Sequence, residues 1–249
     1  VYKEMNNSFV LPTNADVLDL AKYLDRAKRM DAKGAVRLRA YGDVLTVYVA
    51  PIFSGEYEED APLVLGLRTL KLAESTEFDL TFSIADLIEK VQAVASGEVQ
   101  EESLSLADRL LNLTGKNQAK QNQITLDLEL MKVSWSTETP TRTGWELGGE
   151  IPESQLTEIA RKGIAEVTET LPASVGGPIA ARVRSEIWGR AFDYKYPMPM
   201  GSAFVAAGLG FLTEGEIVPW YVSGDWVRLS SEHGHVLAKF AKDYVPMKA

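Results

Sequence analysis

No cysteine occurs in the 249 residues. Its absence excludes disulfides, thiolate zinc sites, iron–sulfur clusters and a cysteine nucleophile together. Histidine occurs only as His233 and His235. The patterns that announce a catalytic or nucleotide site are missing as well. There is no Gly-x-Gly-x-x-Gly after a strand, no phosphate loop ending in Lys-Ser/Thr, no Gly-x-Ser-x-Gly and no His-Glu-x-x-His. Long apolar runs are lacking too. The longest mainly apolar stretch, Met198 to Leu212, has 15 residues and holds Gly201, Gly208 and Gly210. A bilayer needs about 20 apolar residues, so this stretch is expected in a core and no membrane association is expected. Val1 to Ser8 show no basic start leading into an apolar run, so no signal peptide is read there, and the start without Met leaves a removed leader open.

What is present is the composition of a globular protein, 45% hydrophobic and 24% charged. The length allows one large domain or two smaller ones. Acidic residues outnumber basic ones by 35 to 26, a net charge of −9. That balance favours solubility, disfavours a general nucleic-acid coat and still permits a local basic face. A cytoplasmic protein is expected.

The pattern along the chain predicts an α+β fold of mostly antiparallel sheets with amphipathic helices. Phe9 to Leu11 reads as a strand. Thr13 and Asp16 have capping-box spacing ahead of a helix over 14–30, which Gly34 should end. Residues 35–41 and 44–50 read as a hairpin turning at Gly42-Asp43. Two further strands, 63–73 and 77–84, precede a helix over 85–96 capped by Ser83. Residues 97–123 are polar and read as a connector, with a short helix over 104–113. Beyond it come a long strand over 124–135, a strand over 145–151, and a helix from Pro152 to about Glu169. Another helix opens at Gly176-Gly177-Pro178, residues 200–212 fit helix or strand, and three strands close the chain at 216–222, 225–230 and 236–240. The expected organisation is a first module over 1–96, the connector, and a second module over 124–249.

Several residue groups bear on function. Lys22, Arg26, Arg29 and Lys33 follow at intervals of four, three and four, which keeps them within about 60° of helical arc, opposite Val17, Leu20, Leu24 and Ala27. Such a row can contact phosphates, or it can be an ordinary solvated face. His233 and His235 would share one face of a strand and need a third ligand to hold a metal, and Ser231-Glu-His-Gly-His235 also reads as a turn. Trp220, Tyr221, Trp226, Phe240 and Tyr244 form an aromatic tail that fits either a core or a peptide groove. Glu56, Glu58, Glu59 and Asp60 form an acidic run without the alternation of a calcium loop. No cofactor is expected.

Two resemblances follow from these residues. The segment 208–246, with Gly224-Asp225-Trp226 and Asp243-Tyr244-Val245, resembles an SH3-type barrel, which implies a peptide groove lined by Trp220, Trp226 and Tyr244. The order Phe9-Val-Leu-Pro, basic helix, Arg37-Leu-Arg-Ala-Tyr-Gly-Asp-Val-Leu-Thr-Val hairpin and Phe82-Ser-Ile-Ala-Asp-Leu-Ile resembles a module of a DNA sliding clamp. Trp145-Glu-Leu-Gly-Gly-Glu-Ile-Pro-Glu-Ser-Gln-Leu resembles the opening of another, so the clamp likeness covers about 9–96 and 145–249. It implies helices that present Lys and Arg to duplex DNA, with Lys22, Arg26, Arg29 and Lys33 in that position. The expected function is a non-enzymatic binding or scaffold protein that touches a polyanion such as nucleic acid through the 14–30 helix. The alternatives are a peptide- or protein-binding adaptor using the C-terminal strands, and an enzyme drawing on His233 or His235 with a carboxylate. The partner is left as nucleic acid or another protein, and a homo-oligomer stays open.

Overall fold

The computed structural model describes residues 8–55, 61–97, 121–171, 176–193 and 196–240. The expectations for Glu56–Asp60, for a helix over 104–113 and for Tyr244 lie outside them. The described chain divides into two compact units. Unit 1 comprises Val1–Tyr48 with Thr69–Lys132, and unit 2 comprises Val49–Arg68 with Val133–Ala249. Two long strands contribute to both: β2 (Ala35–Ile52) and β3 (Leu63–Ser83).

In unit 1, β1 (Ser8–Val10) pairs antiparallel with β4 (Gln123–Thr125), and α1 (Asn14–Met30) packs with α2 (Ile84–Ser96). The capping box ahead of α1 forms as the spacing dictates. The Thr13 hydroxyl accepts from the Asp16 amide at 3.2 Å, and the Asp16 carboxylate accepts from the Thr13 amide at 2.9 Å. The helix stops at Asp31 rather than at Gly34. Val17, Leu20, Leu24 and Ala27 are buried, as are Ile84, Leu87, Ile88 and Val91 of α2 and Val36, Leu38 and Ala40 of β2. Ser83 caps α2 as expected.

β2 is strand throughout its 18 residues, yet the Thr46 hydroxyl donates to the Arg39 carbonyl at 3.0 Å. Residues seven apart in an extended strand lie roughly 23 Å apart, so the chain must double back between them. Gly42, at φ 64°, supplies the left-handed residue that a two-residue reversal at Gly42-Asp43 requires. The alternation puts half-buried Arg37, Arg39, Tyr41 and Thr46 and buried Tyr48 on the sheet face away from Val36, Leu38 and Ala40. β3, like β2, is strand throughout, and Ser75, Asp79 and Ile84 lie beside Gly42, Arg37 and Gly34, so its 77–83 arm runs antiparallel to the first arm of β2. One expectation fails in this unit. The strand expected over 124–135 is only the three-residue β4, followed by irregular chain and a 3-10 turn at Ser134–Thr137. Leu126 is buried, but Asp127 is held by Lys90 at 2.9 Å and Leu130 is exposed, so the alternation does not form a ladder.

Unit 2 contains β5 (Glu146–Pro152), α3 (Glu153–Thr170), α4 (Gly177–Gly189), β6 (Ala191–Asp193), β7 (Tyr196–Pro199), α5 (Gly201–Gly208), β8 (Ile217–Ser223), β9 (Trp226–Ser231) and β10 (Gly234–Lys239). Pro152 closes β5 and is the N-cap of α3, one place before the first helical turn expected for it. The apolar stretch near 200–212 resolves as the short helix α5, and the β6–β7 pair was not anticipated.

The six-stranded sheet has the order β2-β3-β10-β9-β8-β5. β8, β9 and β10 form a meander with two-residue loops, since Ser223 faces Trp226 and Ser231 faces Gly234. This meander does not close on itself. Leu63–Leu67 of β3 continues it on one side and β5 on the other, so the SH3-type resemblance is one of local hairpin sequence and not of fold. On the buried face Trp220 lies flat against the backbone of β5. A Cβ added at Gly148 would sit 2.0 Å from the ring, so only glycine admits that approach.

Candidate functional site

Helix α1 carries the row that sequence periodicity singled out. Lys22 and Arg29 are exposed and Arg26 is half-buried, on the side away from the buried Leu20, Leu24 and Ala27. Asp25 lies in the same row and pairs with Arg29. Lys33 stands beyond the helix, in a turn where its amide donates to the Asp31 carboxylate at 3.1 Å. Three of the four cations therefore share the helix face, and Arg29 among them is held by Asp25. Counted by helix, cations and carboxylates stand at four to three in α1, one to two in α2, two to four in α3 and two to one in α4. In α3, Arg161 and Lys162 turn to Glu158 at 2.8 and 3.5 Å, which holds that carboxyl at about 2. In α4, Arg182 meets Glu186 at 3.2 Å. The described helices thus offer one local basic row and no general cationic surface.

The other sequence-singled residues are placed as follows. His233 is exposed in the β9–β10 loop, where its carbonyl accepts from Arg68 at 2.7 Å. His235 is half-buried on β10 with Nδ1 3.0 Å from the Ser230 hydroxyl, and burial, then the nearby Arg228, push its pKa down. The two imidazoles are not brought together on one strand, because β10 begins only at Gly234. No cluster of three or more potential metal ligands occurs among the described residues. Trp220 and Trp226 are 8% and 9% exposed. No helix among the described residues is long and apolar enough to cross a membrane.

Sequence reading missed two arginine–aromatic arrangements, one in each unit. In unit 1, Arg37 holds Asp79 through two bonds, Nε to Oδ1 at 2.7 Å and Nη2 to Oδ2 at 2.8 Å. The Nε of Arg39 lies 2.8 Å from Oδ2, near enough to pair as charges although its N–H is not aimed at the acceptor. The Arg39 guanidinium also lies over the Tyr41 ring at 4.9 Å. The hydrogen bond to Asp79 raises the Arg37 pKa, and burial pushes the Tyr48 phenol up. In unit 2, the Arg228 guanidinium sits 4.6 Å from the centroids of both Trp145 and Tyr221. The available signal was the period-2 spacing of Arg37, Arg39 and Tyr41. No local signal joins Trp145 to Arg228, because 83 positions of sequence separate them.

Residues 5–108 match a Domain of unknown function (DUF8010), and residues 140–243 match a Domain of unknown function (DUF8185). No curated protein matches the sequence. Among solved structures, DNA polymerase III subunit beta from Borrelia burgdorferi has a TM-score of 0.52 at 8% identity, over 97% of this chain and 66% of that one. A putative DNA polymerase III beta subunit from Eubacterium rectale has 0.49 at 9%, over 96% and 66%. A DNA polymerase sliding clamp from Pseudomonas aeruginosa has 0.46 at 12%, over 96% and 66%. The chain therefore spans just under two thirds of the length of these clamp chains. The superposition on the Borrelia protein shows the fold: α+β, with a sliding-clamp-like arrangement of helices and antiparallel sheets.

Proposed function

We propose that the chain is a non-enzymatic, clamp-like binding protein of the cytoplasm that contacts a polyanion such as nucleic acid through α1. The observation that carries this reading is the row of Lys22, Arg26 and Arg29 facing away from the buried side of that helix, with Lys33 in the following turn. Each Lys or Arg that meets a phosphate releases a condensed counterion. The near balance of charge on the other described helices limits the contact to a few phosphates. A lined passage for a duplex would need a cation excess that they lack. The test is binding of a fluorescent 30-base-pair duplex between 50 and 200 mM salt. Three phosphate contacts predict a log–log slope of about −3, and the combined Lys22→Glu, Arg26→Glu, Arg29→Glu variant should not bind. Absence of binding at 50 mM salt, or a variant that binds like the parent, overturns the reading.

A further inference from the structure

One face of the unit 2 sheet holds a cation that has no counter-charge among the described residues. Arg228 stands in the middle of β9, opposite Tyr221 of β8 and Leu237 of β10. Trp145 and Tyr221 hold its guanidinium at the same 4.6 Å. Among the described residues no carboxylate pairs with it, and its Nε is buried without an acceptor. Burial lowers its pKa, and only the Tyr221 phenol opposes that shift. On the same face Lys239 does have a carboxylate, Glu138 at 2.7 Å. In unit 1 the related arrangement of arginine and tyrosine is completed by Asp79. A desolvated cation without a partner is costly, and a carboxylate fork is the acceptor that a guanidinium edge fits best.

We propose that Trp145, Leu147, Tyr221 and Arg228 form a docking site for an extended peptide segment of a partner protein that carries one Asp or Glu between apolar residues. Arg228 receives the carboxylate and takes the counter-charge that Asp79 supplies internally in unit 1. Leu147, 63% exposed beside Tyr221 in the pairing of β5 with β8, receives the apolar flank. β5 ends the described sheet order, so its outer edge offers backbone groups to an extended chain. Exposed Glu150 shares the face of the patch through its pairing with Pro219, and exposed Asp225 lies in the β8–β9 loop. Their charge repels a polyanion and tolerates a single carboxylate, which separates this site from the basic row on α1.

The experiment titrates the full chain, labelled with nitrogen-15, with two pools of acetylated hexapeptides. One pool has a central Asp or Glu flanked by Leu, Val, Ile or Phe, and the other has Asn or Gln instead. The acidic pool should move the Trp145 indole N–H and Arg228 Nε–H resonances and bind about ten-fold or more tightly than the amide pool, as a charge-assisted pair implies. Arg228→Gln should bring the two pools level. Leu147→Glu, which keeps Arg228 and fills the site from within the chain, should abolish binding of the acidic pool. Equal binding of the two pools by the parent protein overturns the proposal, as does an acid preference that survives Arg228→Gln. Inorganic phosphate moving the same resonances at lower concentration than acetate would make this a phosphate site and overturn it equally.

Discussion

The two units each place arginine against tyrosine on a sheet face and treat the charge in opposite ways. In unit 1, Arg37 and Arg39 are only 12% and 16% exposed and share Asp79. In unit 2, Arg228 has two aromatic neighbours and, among the described residues, no acid. A guanidinium with an internal carboxylate is complete and stabilises its own sheet. One without is held in place by the same kind of ring contact but keeps its hydrogen-bonding edge for something else. The difference separates a structural arginine from a ligand-seeking one on geometry alone.

The largest effect should come from breaking the complete arrangement. Asp79→Ala strands two arginines. Removing one partner of a fully buried pair costs about 3–5 kcal/mol. Asp79 is 41% exposed, so solvent screening reduces the expected loss to about 2 kcal/mol. Urea unfolding should show the midpoint falling with an unchanged slope. A loss below about 0.5 kcal/mol would mean that Asp79 is no more than a surface charge, and the contrast between the units would collapse.

A second difference lies at the helix starts. α1 has a reciprocal cap at Thr13 and Asp16, whereas α3 begins at Pro152 with no side-chain cap. Thr13→Ala should cost about 1 kcal/mol, read as faster amide exchange in the first turn of α1. Arg228→Gln removes a desolvation cost and two cation–π contacts of about 1 kcal/mol each, so stability should move by less than about 1 kcal/mol. A loss as large as that of Asp79→Ala would show that Arg228 is structural and that its face needs no ligand.

Much of the fold was legible because it rests on local rules. The Thr13 box, the Ser83 cap, the period of α1, the Gly42-Asp43 reversal and the closing meander each follow from spacing within about ten residues. The failures are non-local. The alternation of 124–135 predicts a strand, but Lys90, far back in the chain, holds Asp127, and among the described residues β1 pairs with this segment only over Gln123–Thr125. The barrel resemblance of 208–246 failed because β3 and β5 supply the flanking strands from distant sequence. The α1 row was visible, but Asp25 within it was overlooked and Lys33 falls off the helix end. The Arg228 cage was invisible, since its members become neighbours only through sheet register.

The smallest effect concerns pH and bears on the same contrast, because both histidines lie in unit 2. Burial, and then repulsion from Arg228, lower the His235 pKa below its ordinary 6.5. The unfolded chain therefore binds this proton more readily than the folded one, and protonation favours unfolding. Stability is level above the unfolded value and declines as pH falls through 6.5 toward the lower folded value. Between pH 7.5 and 5.5, amides of β8, β9 and β10 should lose protection from hydrogen exchange while those of unit 1 hold theirs, since few carboxylates titrate in that window. His235→Gln should remove the dependence. Arg228→Gln should weaken it, because the repulsive neighbour is gone. A carboxylate docked on Arg228 should act in the same direction, because it offsets that neighbour's charge. The acidic peptide pool should then restore protection in β9 and β10 at pH 5.5. Protection lost equally from both units would trace the acid response to carboxylates common to both, and not to the uncompensated cation beside His235.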